Sequence, residues 1–315
     1  MRCTYHEGYF VPLPATHPFP MAKYPLLAQR LLRSGLVRPD DLREPGQASL
    51  DDLRLVHSDE YLERLATGTL HPAAVRRIGV PWSAALWRRS RLAAQGTLDA
   101  ARAALQDGLA ANLAGGTHHA FAGHGEGFCV LNDVAVAIRV LQRDARVQRA
   151  LVIDLDVHQG NGTAAIFAGD ASVFTFSMHG ERNYPARKMR SSLDVGLADG
   201  VGDAEYLDAL RRHLDAIFAG FVPDIVFYLA GVDTVRGDRY GRLALSDRGL
   251  RLRERCVLEA CALRGYPTVI TIAGGYAPTP ERTAELHAVV FEEAVAVLSG
   301  AADHCSTDPR GATEP

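Results

Sequence analysis

Short apolar stretches that end abruptly in glycine or polar residues recur along most of the chain. The clearest covers residues 150–153, where an aliphatic, β-branched run gives way to Asp154, Asp156 and His158. A run this short and this apolar is typical of a strand buried on both faces of a parallel sheet. The same pattern predicts further strands at residues 109–116, 172–178, 224–230 and 267–273.

Stretches with apolar residues at a helical period alternate with these predicted strands. Residues 83–109 have this period and predict either one long helix or a pair broken near Gly96. Further helices are predicted at residues 22–34, 58–65, 204–219, 246–263 and 281–298, and a first strand at residues 2–10. Alternating strands and helices predict a three-layer α/β fold with a central, mostly parallel sheet flanked by helices.

Length and composition favour a single large domain. The 315 residues are 47% hydrophobic, which is enough for a sizeable core, and no Ser/Pro-rich linker separates two halves. We therefore predict one domain over residues 1–300. The small and polar residues 301–315 are expected to form a disordered tail.

Charge and cysteine usage narrow the possible partners and the compartment. The formal net charge is -3 with mixed signs throughout, so we expect neither nucleic-acid binding nor a membrane-binding surface. Five cysteines without a CxxC pair fit a reducing compartment and argue against a cysteine-built metal site. Because the chain shows no signal-peptide pattern and no run of about 18 apolar residues, we expect a soluble, cytoplasmic protein.

The polar residues that follow the strand at 150–153 are of the metal-binding type. At a strand period of two, Asp154, Asp156 and His158 would project to one side, and Gly160 and Gly162 would allow a tight turn before the next helix. An acidic loop that caps a helix is the alternative interpretation of this segment alone. Convergence of carboxylates and an imidazole would favour a metal site.

A third ligand is available after the strand at 224–230. Asp233 would lie at the same edge of the sheet as Asp156 and His158, because the carboxyl ends of parallel strands collect functional groups there. Three oxygen and nitrogen ligands suit a catalytic zinc ion that keeps one position for water or substrate. Iron(II) or cobalt(II) would also be accommodated, since none of the ligands is a thiolate.

Proton-transfer groups accompany these ligands. His118 and His119 are adjacent and could flank one point in a turn, although a histidine pair alone is equally compatible with a structural role. Asp154 is then free to orient one histidine by accepting its ring N–H. Tyr276 follows two glycines and could donate its hydroxyl to a carbonyl oxygen. This inventory predicts hydrolysis of an amide.

Four motifs together resemble the histone deacetylases of the arginase–deacetylase superfamily. They are Gly-Gly-Thr-His-His at 115–119, Asp-Leu-Asp-Val-His at 154–158, Ala-Gly-Val-Asp at 230–233 and Gly-Gly-Tyr at 274–276. The segment His17-Pro18-Phe19 and the sequence Gln-Gly-Asn-Gly at 159–162 are similar to the class IV branch and its bacterial relatives. The resemblance covers nearly the whole chain and implies the arginase–deacetylase fold, with residues 1–300 as the catalytic domain.

The resemblance implies two kinds of bound ion. Zinc would be held by Asp156, His158 and Asp233, with iron as the possible replacement. The family also binds a structural potassium ion, which here would lie near the backbone of Asp154 and Ser177.

The resemblance also assigns roles to the remaining site residues. His118 and His119 would be the proton-handling pair, with Asp154 behind His118 and Asn161 behind His119, and Tyr276 would donate to the carbonyl. The substrate channel would be lined by Phe128, Tyr184, Gly127 and Gly275. Asn161 stands where an aspartate is common in the family, and this departure changes how His119 can hold a proton.

The expected function is a zinc-dependent hydrolase that removes an acetyl or longer acyl group from lysine side chains. Small acylated amines such as acetylpolyamines are the alternative substrates, and the motifs do not separate the two. A binuclear manganese ureohydrolase is disfavoured, because Gly160 and Val235 stand where that branch needs further carboxylates. A binding module without activity would be expected to lack a ligand, the histidine pair or the tyrosine, and all are present. The oligomeric state is left open.

Overall fold

Eight strands, all parallel, form one sheet through the part of the chain that the structure describes. The structure is a computed structural model that describes residues 1–300, so the predicted tail at 301–315 lies outside the described residues. The strands are β1 (Arg2–Thr4), β2 (Leu42–Arg43), β3 (Leu109–Asn112), β4 (Ala150–Asp154), β5 (Val173–Gly180), β6 (Leu193–Leu197), β7 (Ile225–Leu229) and β8 (Thr268–Thr271). Their order across the sheet is β2-β1-β3-β8-β7-β4-β5-β6.

Ten α-helices in the same described residues surround this sheet. They are α1 (Lys23–Arg33), α2 (Leu50–Arg54), α3 (Asp59–Thr67), α4 (Pro72–Ile78), α5 (Ala84–Asp107), α6 (Asp133–Arg143), α7 (Asn161–Ile166), α8 (Asp203–Gly220), α9 (Asp247–Ala262) and α10 (Pro280–Leu298). None of these helices combines the length and apolar character needed to cross a membrane.

The core lies in two layers, one on each face of the sheet. Along β4, Leu151 and Ile153 belong to one hydrophobic cluster, whereas Ala150 and Val152 belong to the other. Successive strand residues point to opposite faces, so a wholly apolar strand supplies both clusters. The three-layer α/β fold predicted from the sequence is confirmed.

Some predicted boundaries were wrong. The first strand ends at Thr4 instead of continuing to residue 10, because the His6 side chain accepts the N–H of Gly8 and starts a short 3-10 helix. The periodic stretch at 83–109 forms one helix, α5, and Gly96 lies where that helix packs closely on Tyr9. A Cβ at position 96 would collide with the Tyr9 hydroxyl, so glycine serves close packing here. The helix continues through it.

The centre of the sheet positions the candidate site. Strands β3, β8, β7 and β4 are neighbours, and the chain leaves their carboxyl ends toward His118, Tyr276, Asp233 and Asp156 respectively. Functional groups from distant parts of the sequence therefore meet at one edge, as is usual for parallel sheets.

Candidate active site

Asp156, His158 and Asp233 converge at this edge of the sheet. One ligand atom from each residue lies within 4.8 Å of the others, and all three side chains are buried. Within residues 1–300 this is the only group of His, Cys, Asp or Glu side chains with metal-ligand spacing. These are the three residues that the sequence predicts as metal ligands.

Hydrogen bonds from backbone N–H groups to aspartate side chains position the first two ligands. Strand β4 ends at Asp154, whose Oδ1 accepts the N–H of Asp156 at 3.1 Å, and Asp156 Oδ1 then accepts the N–H of His158 at 2.9 Å. These turns are typical of aspartate, whose carboxylate accepts a hydrogen bond from the backbone N–H two residues further along the chain. The expected convergence of Asp156 and His158 is observed, but it arises from these turns and not from continued strand alternation, because strand β4 has already ended at Asp154.

The two glycines after the ligands lie at the turn into helix α7. Gly160 and Gly162 have ordinary negative φ values or helical backbone, and Gly160 directly precedes helix α7. A Cβ at Gly160 would collide with the Asp154 carboxylate, and one at Gly162 would collide with the Ala120 carbonyl. These glycines permit close packing behind the histidine pair. The N–H of Asn161 also donates to the Gln159 carbonyl at 2.8 Å across Gly160, so the tight turn predicted before the helix is present.

The ligand group fits a bound cation. His158 Nδ1 lies 2.9 Å from Asp156 Oδ1 and 3.2 Å from Asp233 Oδ2, and this Asp233 oxygen is buried without a hydrogen bond of good geometry. Burial lowers the pKa of His158, but its contacts with Asp156 and Asp233 outweigh burial and raise it to about 10. The arrangement therefore attracts positive charge between the three residues, where a divalent metal ion would be held.

The neighbouring loop leaves room for this centre. The N–H of Gly274 donates to Asp156 Oδ2 at 2.7 Å. A Cβ at Gly274 would collide with oxygens of both Asp233 and Asp156. Glycine thus lets the backbone after β8 approach the ligands closely.

His118 pairs with a carboxylate. Its Nδ1 lies 2.6 Å from Asp154 Oδ2, and its ring is only 4% exposed. Burial lowers the pKa of His118, but the charges of Asp154 and Asp156 outweigh burial and raise it to about 9. His118 therefore holds a proton easily at neutral pH.

His119 pairs with an amide. Its Nδ1 lies 2.7 Å from Asn161 Oδ1, and its ring centroid is 4.1 Å from that of His118. Burial lowers the pKa of His119 well below the usual histidine value, and the charges of His118 and His158 lower it further. His119 is thus the neutral member of the pair, and its second nitrogen is free of the Asn161 contact.

Tyr276 lines the same cavity as the histidines. It is 9% exposed, and its backbone N–H donates to Asp238 Oδ2 at 2.7 Å. Burial and the nearby carboxylates of Asp156 and Asp233 raise the pKa of Tyr276 well above its usual value. The hydroxyl therefore keeps its proton and can act as a hydrogen-bond donor.

Of the four predicted channel residues, three line the approach to this centre and one does not. A funnel at the surface is lined by Gly127, Phe128 and Tyr184, together with Tyr240 and Tyr276. Phe128 packs against Phe19 with ring centroids 5.2 Å apart.

The channel assignment of Gly275 is wrong. This residue is buried behind Tyr276, where a Cβ would meet Val232 and His287. Its φ of 154° lies near the edge of the range that favours glycine, so it lets the chain turn Tyr276 into the site.

Several residues of the site were missed in the sequence. Lys23 is fully buried and donates to the carbonyl of Ala273 at 2.8 Å, just before the Gly-Gly-Tyr motif. Glu126 contacts Asn161, and Arg77 lines the funnel. Glu126 lies inside the glycine-spaced loop at 122–128, so the loop itself was the available signal.

The predicted potassium site remains a prediction. Asp154 and Ser177 are register partners in adjacent strands, and the Ser177 hydroxyl lies 2.9 Å from His179 Nδ1.

Comparison with protein families matches residues 17–294 to the histone deacetylase domain. The chain therefore belongs to the histone deacetylase family. Its four motifs and their convergence at one edge of the sheet are consistent with that membership.

Individual proteins and one solved structure are also similar to this chain. An uncharacterized protein of Picosynechococcus is 50% identical over 273 residues, covering 87% of this chain and 91% of that protein. Histone deacetylase 2 of Arabidopsis thaliana is 32% identical over 286 residues, covering 87% of this chain and 73% of that protein. A crystal structure of the HDA15 HD domain matches with a TM-score of 0.78 at 24% identity, covering 95% and 91% of the two chains, and shows the shared fold.

Proposed function

We propose that this protein is a zinc-dependent deacylase that removes an acetyl or longer acyl group from lysine side chains. One observation carries the proposal: Asp156, His158 and Asp233 meet within 4.8 Å at the inner end of a funnel lined by aromatic side chains. An extended acyl-lysine side chain fits such a funnel, since its reacting amide is carried on an apolar stem. Family membership supports amide hydrolysis as the reaction.

The side chains at the end of the funnel divide the work of hydrolysis. Neutral His119 accepts a proton from the attacking water, and cationic His118 supplies one to the leaving lysine nitrogen. The Tyr276 hydroxyl donates a hydrogen bond to the oxygen on which negative charge develops. Asp154 and Asn161 orient the two rings, at 2.6 Å and 2.7 Å.

Zinc held by Asp156, His158 and Asp233 would polarise the substrate carbonyl and lower the pKa of the water. Histidine nitrogen and carboxylate oxygen are both zinc ligands, and three protein ligands leave a position for water or substrate; iron(II) is the second candidate.

Charge at the funnel favours acyl-lysine over acetylated polyamines. Apart from histidines, Arg77 is the one charged side chain among the described residues that line the funnel, and it is exposed. The nearby Glu126 carboxylate is only 15% exposed and already accepts hydrogen bonds from Asn161 and Tyr184. Polyamines carry further ammonium groups, which need carboxylates nearby and are repelled by a guanidinium. A peptide backbone carries no such charge.

The substrate class can be tested by comparing purified metal-loaded protein on acyl-lysine peptides of graded chain length and on acetylated spermidine. We expect kcat/KM to be at least about tenfold higher for the best peptide than for the polyamine. The variant Arg77→Glu should narrow this gap, and Arg76→Glu, one residue away on the same helix, serves as the matched control. Higher kcat/KM for the polyamine would contradict the proposed substrate, and lack of hydrolysis of every amide would contradict the function.

A further inference from the structure

Glu126 is a carboxylate beside the histidine pair that the proposed reaction leaves without a role. It lies in the loop between His124 and Phe128, at the outer side of Asn161. Its side chain is only 15% exposed. A carboxylate this sheltered is costly unless hydrogen bonds compensate for its lost hydration.

Two donors compensate for the burial at one carboxylate oxygen. Glu126 Oε1 accepts from Asn161 Nδ2 at 2.6 Å and from the Tyr184 hydroxyl at 2.8 Å. The other oxygen, Oε2, lies 3.6 Å from His124 Nε2. Glu126 therefore connects Asn161, next to His119, with Tyr184, on the wall of the funnel.

The contact with Glu126 decides which way the Asn161 amide faces. An ionised carboxylate only accepts hydrogen bonds, so the NH₂ group of Asn161 must point toward Glu126. Its oxygen then faces His119 Nδ1, at 2.7 Å. Without the carboxylate, the amide could rotate by half a turn and present NH₂ to His119 instead.

The orientation of Asn161 in turn sets the tautomer of His119. An acceptor at Nδ1 places the ring proton on Nδ1 and leaves the lone pair on Nε2. A donor at Nδ1 would favour the opposite tautomer, in which Nε2 already carries a proton and cannot take another. The correct tautomer is thus a condition for the base function proposed for His119.

We propose that Glu126 is a positioning residue that fixes His119 in its Nδ1–H tautomer by orienting Asn161. An aspartate at 161 would need no such help, because both of its oxygens accept. The carboxylate of Glu126 therefore offsets the ambiguity introduced by an amide at this position. This inference rests on the proposed function only in taking His119 as the base.

The same carboxylate links the channel wall to the base. The Tyr184 ring stands perpendicular to the His119 ring, with centroids 4.9 Å apart, while its hydroxyl is held by Glu126. Removing the Tyr184 hydroxyl alone should leave the Asn161 contact in place. Tyr184→Phe is therefore a matched control that separates the two contacts of Glu126.

The tautomer can be measured without any assay of activity. The zinc-loaded protein with ¹⁵N-labelled histidines is compared by NMR with Glu126→Ala, Glu126→Gln and Tyr184→Phe, and His119→Gln identifies the His119 signals among the 12 histidines. We expect the Nδ1–H tautomer in wild type and Tyr184→Phe, and a mixture of tautomers in Glu126→Ala. Glu126→Gln retains the shape of the side chain and guards against misfolding of the alanine variant. An unchanged tautomer in both Glu126 variants would overturn the proposal.

A double-mutant cycle gives a second test. In the Asn161→Asp background, a positioning role and a purely structural role of Glu126 predict opposite changes in kcat. In the Asn161→Asp background two carboxylates face each other, so Glu126→Gln should raise kcat by at least about threefold by removing the repulsion. In the wild-type background Glu126→Gln should lower kcat, and Glu126→Ala should lower it about tenfold. A loss in both backgrounds would overturn the positioning role. A wild-type protein inactive on all amides would refute the proposed function, while the NMR result would still decide the tautomer.

Discussion

The two adjacent histidines have the same side chain and similar burial, but different partners behind them. His118 faces the carboxylate of Asp154, and its pKa is raised to about 9. His119 faces the amide of Asn161, and burial and its charged neighbours lower its pKa well below the usual value. One buried imidazole is thus suited to hold a proton and the other to accept one.

The contrast shows how charge and hydrogen bonding act separately on an imidazole. Both partners accept a ring N–H and fix the orientation of the ring, but only the carboxylate compensates for a positive charge. In a buried pair, charge on one ring also opposes charge on the other, so the pair carries one proton more easily than two. The identity of the residue at 161 therefore matters for reactivity as well as for geometry.

The largest effect that tests this contrast should come from His119→Ala. Removing the proton acceptor should lower kcat by roughly three orders of magnitude, in the range for loss of a general base. The measurement is steady-state hydrolysis of one acyl-lysine peptide, with metal content determined in parallel. Substantial activity at full metal occupancy would show that the base is not His119.

Tyr276→Phe should have the next largest effect. Deleting one donor to the developing oxyanion typically lowers turnover by about two to three orders of magnitude. The phenyl ring retains the packing of the tyrosine, so metal content and substrate KM should change little. Turnover near the wild-type value would mean that the hydroxyl takes no part in the reaction.

Exchanging the partner of His119 should move the pH profile. The base must be unprotonated, so kcat/KM falls as pH falls through its pKa, and the low pKa of His119 places this limb below the usual histidine range. Asn161→Asp adds a negative charge, stabilises the protonated ring and should shift the acidic limb to higher pH.

The reverse exchange on the other histidine is the matched control. Asp154→Asn removes the charge that raises the pKa of His118, so the alkaline limb should move to lower pH. The acidic and alkaline limbs of the pH profile report the titration of the two coupled histidines together. Both variants are therefore measured on one substrate. If neither limb moves, charge behind the rings does not govern the profile.

A third histidine extends the comparison to a residue outside the site. His57 is buried, with Nδ1 3.0 Å from the carbonyl of Phe121 and Nε2 accepting the N–H of Asn132 at 3.0 Å. Burial lowers its pKa from 6.5 to about 4. The unfolded chain therefore binds a proton below pH 6.5 that the folded protein does not bind, so stability falls as pH drops from 6.5 toward 4.

The stability effect of His57 is the smallest that we predict. The contribution of His57 to unfolding free energy should fall by about 2 kcal/mol between pH 7 and pH 5. Denaturant titrations of wild type and His57→Gln at both pH values measure this, and the variant should lose less stability on acidification. Equal losses in the two proteins would show that His57 is protonated in the folded state.

Much of the fold follows from local patterns. The strand at 150–153 and the helix at 246–263 were predicted within one or two residues, because wholly apolar runs and helical periodicity are properties of the local sequence. Strand β6 was missed because it lies at the sheet edge, where its residues are partly exposed. Strand β2 was missed because it has only two residues.

The candidate site was predictable to the extent that its residues follow strands. Asp156 and Asp233 could be placed at one edge because parallel strands end together. The contact of Glu126 with Asn161 could not be predicted from the sequence, since it depends on how the loop at 122–128 folds over the start of helix α7. The hydrogen bond from the His158 N–H to Asp156, which positions His158, likewise could not be predicted from the sequence.

The most direct test of the proposed zinc-dependent deacylase is titration of metal-free protein with zinc, followed by both bound metal and hydrolysis of an acyl-lysine peptide. Because one cluster of three ligands is present in residues 1–300, activity should rise in proportion to zinc and reach its maximum at one equivalent. Asp233→Ala should bind zinc weakly and stay inactive. Full activity in the metal-free protein or in Asp233→Ala, or a maximum at two equivalents, would contradict the account.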